Sequence, residues 1–216
     1  MLKITTLSAS INETQILTDI SIQMSPGDVL LITGHNGSGK STLLHTIMGR
    51  SDIIANGSIE MDEVMLNELE CHERAQAGVF MFHQMPPTID GVNTMTLLNE
   101  INKVQGKKYT RGNLISQAND VFAHLNLSDN WSKRQFNLGA SGGERKKNEL
   151  AQAKLFGGKL LLLDEPEAGL EQYSRQQIRD LIDANHTGYT LLVTHDNDFQ
   201  EYYSKNTIEL SNGRIV

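Results

Sequence analysis

Short apolar runs alternate along the chain with longer segments of helical periodicity, and this alternation predicts its elements. Residues 2–5, 15–24 and 29–33 read as strands, with Ser25-Pro26-Gly27-Asp28 as the turn before the third. Residues 42–48 are helix-compatible, 56–62 read as a turn and a short strand, 66–77 as a charged helical patch, and 79–82 as a strand. Pro86-Pro87 takes the chain out of the sheet, because consecutive prolines cannot continue a ladder.

From 93 to about 136 apolar positions recur at helical spacing, at Leu97, Leu98, Ile101 and Val104 and again at Leu114, Ala118, Val121, Phe122 and Leu125. This predicts an inserted helical subdomain, bounded at 86–140 within a single domain of 1–216, with Trp131 packed near its end. A helix opening at Ser141, a buried strand over 159–163, a helix over 173–185 and a strand over 189–194 follow. The chain ends in a hairpin over 207–216 that turns at Asn212-Gly213.

Apolar strands alternating with helices imply an α/β fold with a parallel sheet, preceded by an N-terminal antiparallel β subdomain. In parallel sheets ligands gather beyond the carboxyl ends of the strands. Three groups stand at such ends: the loop after residue 33, Asp164 with Glu165, and Thr194 with His195.

The loop Gly34-His35-Asn36-Gly37-Ser38-Gly39-Lys40-Ser41-Thr42 matches G-x-x-x-x-G-K-[ST] between a strand and a helix. Its backbone N–H groups and the helix N-terminus can cradle phosphate oxygens, Lys40 adds a full charge, and the Ser41 hydroxyl can reach Mg²⁺. Asp164 is the expected Mg²⁺ anchor, directly or through water, and Glu165 can polarise an attacking water. His195 could contact the γ-phosphate or that water, and the Gln84 amide could touch both metal and water from a hinge. Ser141-Gly142-Gly143-Glu144 is a second candidate anion site, although taken alone the pattern is more commonly a capping box. The spacing alone leaves open whether it shares a phosphate with Lys40.

A net charge of −7 argues against electrostatic binding of nucleic acid, and no apolar run is long enough to insert in a membrane. Cys71 is the single cysteine, which fits a soluble cytoplasmic protein and excludes a disulfide or a multi-cysteine metal cage within the chain.

With these residues in place the chain resembles the ATP-binding-cassette ATPases over essentially its whole length. Residues 34–42 are similar to Walker A, Gln84 to the Q-loop, 141–144 to the signature, 160–165 to Walker B, 168–171 to the D-loop and His195 to the switch histidine. The resemblance implies a P-loop NTPase core that hydrolyses ATP with Mg²⁺. It makes Glu165, His195, Gln84 and Lys40 the catalytic set, and Ser41, Gln84 and Asp164 the metal set. It also implies an ATP-dependent head-to-tail homodimer, in which Ser141, Gly142, Gly143 and Glu144 of one copy complete the nucleotide site of the other.

Within that family the chain is most similar to the SUF-system ATPases of iron–sulfur cluster assembly, through 73–80, 82–92 and 134–140. Their partners are soluble scaffold proteins, SufB and SufD or a SufB pair, on which the resemblance implies that ATP use drives a conformational change. The alternative is the ATP-binding subunit of a transporter acting on a separate membrane permease. Four positions depart from common cassette patterns: Ile11 where many carry an aromatic ring against adenine, His35 for Pro, Ala140 for a bulkier residue, and Glu171 for Asp.

Overall fold

The computed structural model describes residues 1–106 and 109–216. In chain order its elements are β1 (Leu2–Ile11), β2 (Thr14–Met24), β3 (Val29–Thr33), α1 (Lys40–Met48), β4 (Ile53–Met61), β5 (Val64–Met65), α2 (Cys71–Gln76), β6 (Val79–Phe82), α3 (Thr94–Val104), α4 (Arg111–His124), α5 (Gly142–Phe156), β7 (Leu160–Asp164), α6 (Gln172–Ala184), β8 (Tyr189–Val193), α7 (Asn197–Tyr202), β9 (Thr207–Ser211) and β10 (Arg214–Ile215). They fall into two compact units, the first of Met1–Met81, Lys159–Glu165 and Ile182–Val216, the second of Phe82–Gly158 and Pro166–Leu181.

The first strands form the expected antiparallel sheet, in the order β2-β1-β4-β5. The second sheet runs β10-β9-β3-β8-β7-β6, and β3 pairs in parallel with both β8 and β9, as β7 does with β8. Every residue of β7 and β8 is buried, which is why neither strand alternates in sequence. Leu43, Leu44 and Ile47 of α1 join Ile32, Leu162, Leu191 and the inward residues of β1 and β2 in one apolar core. This core fixes α1, and with it the loop that α1 continues.

Residues 56–62, expected as a turn and a short strand, instead lie mostly within the continuous strand β4. Gly57 does not turn the chain. It faces a bulge of β1 at Thr6, where a Cβ would stand 2.6 Å from the Thr6 carbonyl oxygen, so glycine serves a close backbone approach. The charged patch over 66–77 divides into a 3-10 turn (Leu66–Glu68) and α2. Six-residue α7, too short to show a helical period, begins at the Asp196 cap and buries Phe199.

In the second unit Leu98, Leu114, Ala118, Phe122, Leu125, Leu150 and Trp131 are buried, and the Arg134 guanidinium lies over the Trp131 ring at 4.6 Å. Trp131 therefore packs, as expected, whereas Val104, at the end of α3, is exposed. Asn93 and Thr110 cap α3 and α4 through their side-chain oxygens.

Asp62, in the turn after β4, accepts from Lys159 Nζ at 2.5 Å and from the Tyr189 phenol at 2.5 Å. Lys159 foremost, then the N-terminal amine and Tyr189, hold its carboxyl well below the usual carboxylate range. Burial first and Asp62 second push the Tyr189 phenol up to about 12. A carboxyl with a depressed folded-state pKa contributes stability that is present above its unfolded value of about 3.9 and is lost as pH falls through the folded value. Asp62→Asn should therefore lower the melting temperature at neutral pH. In melts recorded at descending pH the gap from wild type should narrow below about pH 4. A gap that stays constant down to the lowest pH would refute this.

Candidate nucleotide site

The loop between β3 and α1 is built by close backbone approach. Gly34 has a φ of 136°, and a Cβ on it would lie 2.2 Å from the Leu210 carbonyl oxygen. The turn at Asn212-Gly213 supports the loop from below: Gly213 N–H donates to the Ser38 carbonyl at 3.0 Å and Thr18 N–H to the Gly213 carbonyl at 2.8 Å. The hairpin read from the Asn-Gly pair is thus a prop for the loop, which no local sequence pattern reveals.

Lys40 is 93% buried by its surroundings, with 7% of its surface exposed, and Nζ donates to the carbonyls of Gly34 at 2.8 Å and His35 at 3.0 Å. An ammonium has three donors, so it retains capacity for a further acceptor. The loop also holds a buried hydroxyl, Ser38 Oγ, with no hydrogen-bond partner among the described residues. Gly39 precedes α1 at φ 107°, and no side-chain hydrogen bond caps the helix. A cradle of N–H groups, a held ammonium and an orphaned hydroxyl suits phosphate oxygens.

Asp164 ends β7 with 2% of its surface exposed. Glu165 follows in the left-handed region at φ 47°, and its N–H donates to the Val193 carbonyl at 2.9 Å. That bond ties the turn to the end of β8, one residue before Thr194 and His195. Glu165 Oε1 stands 3.6 Å from His195 Nε2, an ion-pair distance for a protonated ring and too long for a hydrogen bond. A carboxylate and an imidazole so placed can flank one small polar group such as water. Ile11 lies at the end of β1, opposite Thr14 and Ile53.

In the second unit Ser141 Oγ accepts from Glu144 N–H at 3.2 Å, and Ser141 N–H donates to Glu144 Oε2 at 2.8 Å. The capping box is therefore formed. The Ser141 N–H bond is the foremost cause that holds the Glu144 carboxyl below its ordinary range. The box uses the N–H groups of Ser141 and Glu144 and does not draw on those of Gly142 and Gly143. Gly143 lies against the 168–169 loop, where a Cβ would meet the Gly169 carbonyl oxygen at 3.3 Å. A cavity of about 130 Å³ brings Gln84, Pro86, Gly142, Gly143, Arg145 and Ala168 together.

Three buried side chains of α5 hold the segment around Gln84. Glu149 Oε1 accepts from His83 N–H and contacts His83 Nδ1, each at 2.9 Å, and Lys146 Nζ donates to the His83 carbonyl at 2.6 Å. Asn148 Nδ2 donates to Asn137 Oδ1 at 2.9 Å, and Asn137 Nδ2 to the Pro87 carbonyl at 2.8 Å. None of these residues stands out in sequence, because a buried polar side chain is recognised only by its partners. Glu171 pairs with Lys147 at 2.7 Å.

A glycine-rich loop, an acidic strand end and a histidine at the carboxyl edge of a parallel sheet define a P-loop nucleotide-binding cassette. The family described as ABC transporter matches residues 17–168, and the chain belongs to it as an ABC ATPase domain. It is 32% identical to the probable ATP-dependent transporter SufC of Escherichia coli (strain K12), over all of this chain and 91% of that protein. It is also 32% identical to the probable ATP-dependent transporter ycf16 of Antithamnion sp., over all of this chain and 90% of that one. Its fold matches a dimeric ATP-binding cassette solved in a post-hydrolysis state with ADP and Pi, at a TM-score of 0.83 and 19% identity, over all of this chain and 96% of that one. Among the described residues no helix is long and apolar enough to cross a membrane.

Proposed function

We propose that this ABC ATPase binds Mg-ATP between the loop 34–42 of one copy and residues 141–144 of a second, and that hydrolysis reopens the pair to reshape a soluble iron–sulfur cluster scaffold of the SufB/SufD kind. The observation that carries the ATPase chemistry is the gathering of Lys40, Asp164, Glu165 and His195 at the carboxyl ends of β3, β7 and β8. Similarity to SufC over the whole chain supports the scaffold as the partner.

The donor set fits Mg²⁺. No group of three or more His, Cys, Asp or Glu residues could hold a metal among the described residues, and Mg²⁺ takes most of its ligands from phosphates and water. Ser41 and Asp164 would hold it, with Gln84 in the role that the resemblance gives it, and the bound ion would neutralise charge on the phosphate oxygens. Lys40 stabilises the γ-phosphate. Glu165 orients the attacking water and takes its proton, while His195 holds the same water or the γ-phosphate in line.

Both relatives are described as ATP-dependent transporters, which favours a second reading, an ATP-binding subunit on a membrane permease. Affinity purification of the tagged full chain with a slowly hydrolysed ATP analogue separates the two. Recovery of two soluble scaffold proteins is expected, and recovery of a permease in their place would overturn the scaffold assignment. Ser141→Ala should cost about 1 kcal/mol through loss of the helix cap. It should also abolish ATP-dependent dimerisation in gel filtration while a single chain still binds ATP, and a variant that dimerises normally would refute the two-copy site.

A further inference from the structure

We propose that Arg74 is a positioning residue for the phosphate loop, acting from the opposite end of α1. The inference rests on the ATPase reading and extends it to a residue outside the nucleotide site. Arg74 is buried on α2, and its side chain reaches the carboxyl end of α1, where Nη1 donates to the carbonyls of Thr46 and Ile47, each at 2.9 Å. Nε donates to the Leu69 carbonyl at 2.9 Å, so the same guanidinium joins α1 to the chain entering α2.

The last four carbonyls of a helix have no partners within it. Here His45 and Thr46 accept from Gly49 N–H, and His45 also from Arg50 N–H. Arg74 supplies a contact at Ile47 and a second one at Thr46. A cation at the negative end of the helix dipole is favourable, and that offsets part of the cost of burying it. Gly49 is fitted to this arrangement, since a Cβ there would lie 2.8 Å from the guanidinium carbon of Arg74.

The consequence for function comes from the size of α1. Nine residues at 1.5 Å each make a rod of about 13 Å, so a tilt of roughly 5° at the Arg74 end displaces the other end by about 1 Å. That other end carries Lys40, Ser41 and Thr42. Misplacement on this scale at a phosphate-binding group is enough to weaken binding by an order of magnitude or more.

The test compares wild type, Arg74→Ala and Arg74→Lys in the full chain, measuring the dissociation constant for a fluorescent ATP analogue alongside the melting temperature. The Ala variant should bind about tenfold more weakly and the Lys variant should fall between it and wild type. Millimolar guanidinium should restore binding to the Ala variant, and sodium chloride at equal ionic strength should not. An Ala variant that melts earlier yet binds ATP like wild type would overturn the proposal, as would equal recovery in sodium chloride. If Arg74→Ala does not fold, Arg74→Lys decides by the same measurement, and wild-type affinity in it counts against the proposal. Failure of the wild type to bind the analogue would overturn the ATPase reading as well, whereas unaffected variants beside a binding wild type overturn only the role of Arg74.

Discussion

Glu165→Gln should leave ATP binding intact, slow turnover by about 10²- to 10⁴-fold and trap a closed dimer in the presence of ATP. The substitution keeps the size and polarity of the side chain and removes only its capacity to take a proton. It also removes one negative charge from beside the proposed phosphate site, so affinity for ATP should hold or rise. Single-turnover phosphate release and gel filtration with ATP measure the two effects. Turnover at the wild-type rate would end the assignment of Glu165.

The backbone at this position supplies an internal control. Glu165 holds a φ of 47°, a conformation that costs a non-glycine residue on the order of 1–3 kcal/mol and that accumulates at functional sites. The Gln variant keeps that strain and should melt like wild type. Glu165→Gly relieves it, and should melt higher while being equally inactive. A site where stability rises as chemistry disappears is one where the carboxylate is retained for what it does.

What the sequence discloses about this molecule depends on whether a feature is local. The phosphate loop is legible because strand, glycines, lysine and helix are contiguous, and β7 and β8 because burial on both faces leaves an unbroken apolar run. The capping box at Ser141 and Glu144 is likewise written within four residues. Features made by distant segments are not legible. Asn56-Gly57 has the composition of a turn, and only the bulge of β1 opposite it shows why glycine stands in a continuous strand. Gly213 reads as a hairpin turn, yet a Cβ on it would meet the Ile16 carbonyl oxygen at 1.9 Å, because the turn is pressed between β2 and the phosphate loop. Arg74 looks like one charge among several in a polar patch until its three carbonyl partners are known.

Two glycines of the phosphate loop, Gly34 at a fixed position of the motif and Gly37 at a variable one, should behave differently on substitution for a reason the motif does not state. Gly34→Ala places a methyl group 2.2 Å from the Leu210 carbonyl oxygen and 2.8 Å from Ser38 Oγ, at a φ of 136°. The carbonyl cannot withdraw cheaply, since the neighbouring residues of β9 are paired with β3 at Ile32↔Ile208 and Thr33↔Glu209. Overlap of this kind must be relieved by moving the loop itself. The expected cost is roughly 3 kcal/mol or more of stability, with ATP affinity reduced by on the order of 100-fold. Gly37→Ala meets nothing within 4 Å at a φ of 80°, so it carries only the left-handed penalty of about 1–2 kcal/mol. Thermal melts and nucleotide titrations of the two variants side by side test the argument, and a Gly34→Ala protein no less stable than Gly37→Ala would refute it. The difference follows from position: Gly37 lies at the open tip of the loop, while Gly34 lies where the loop leaves the sheet and the strand beside it sets how close the backbone must pass.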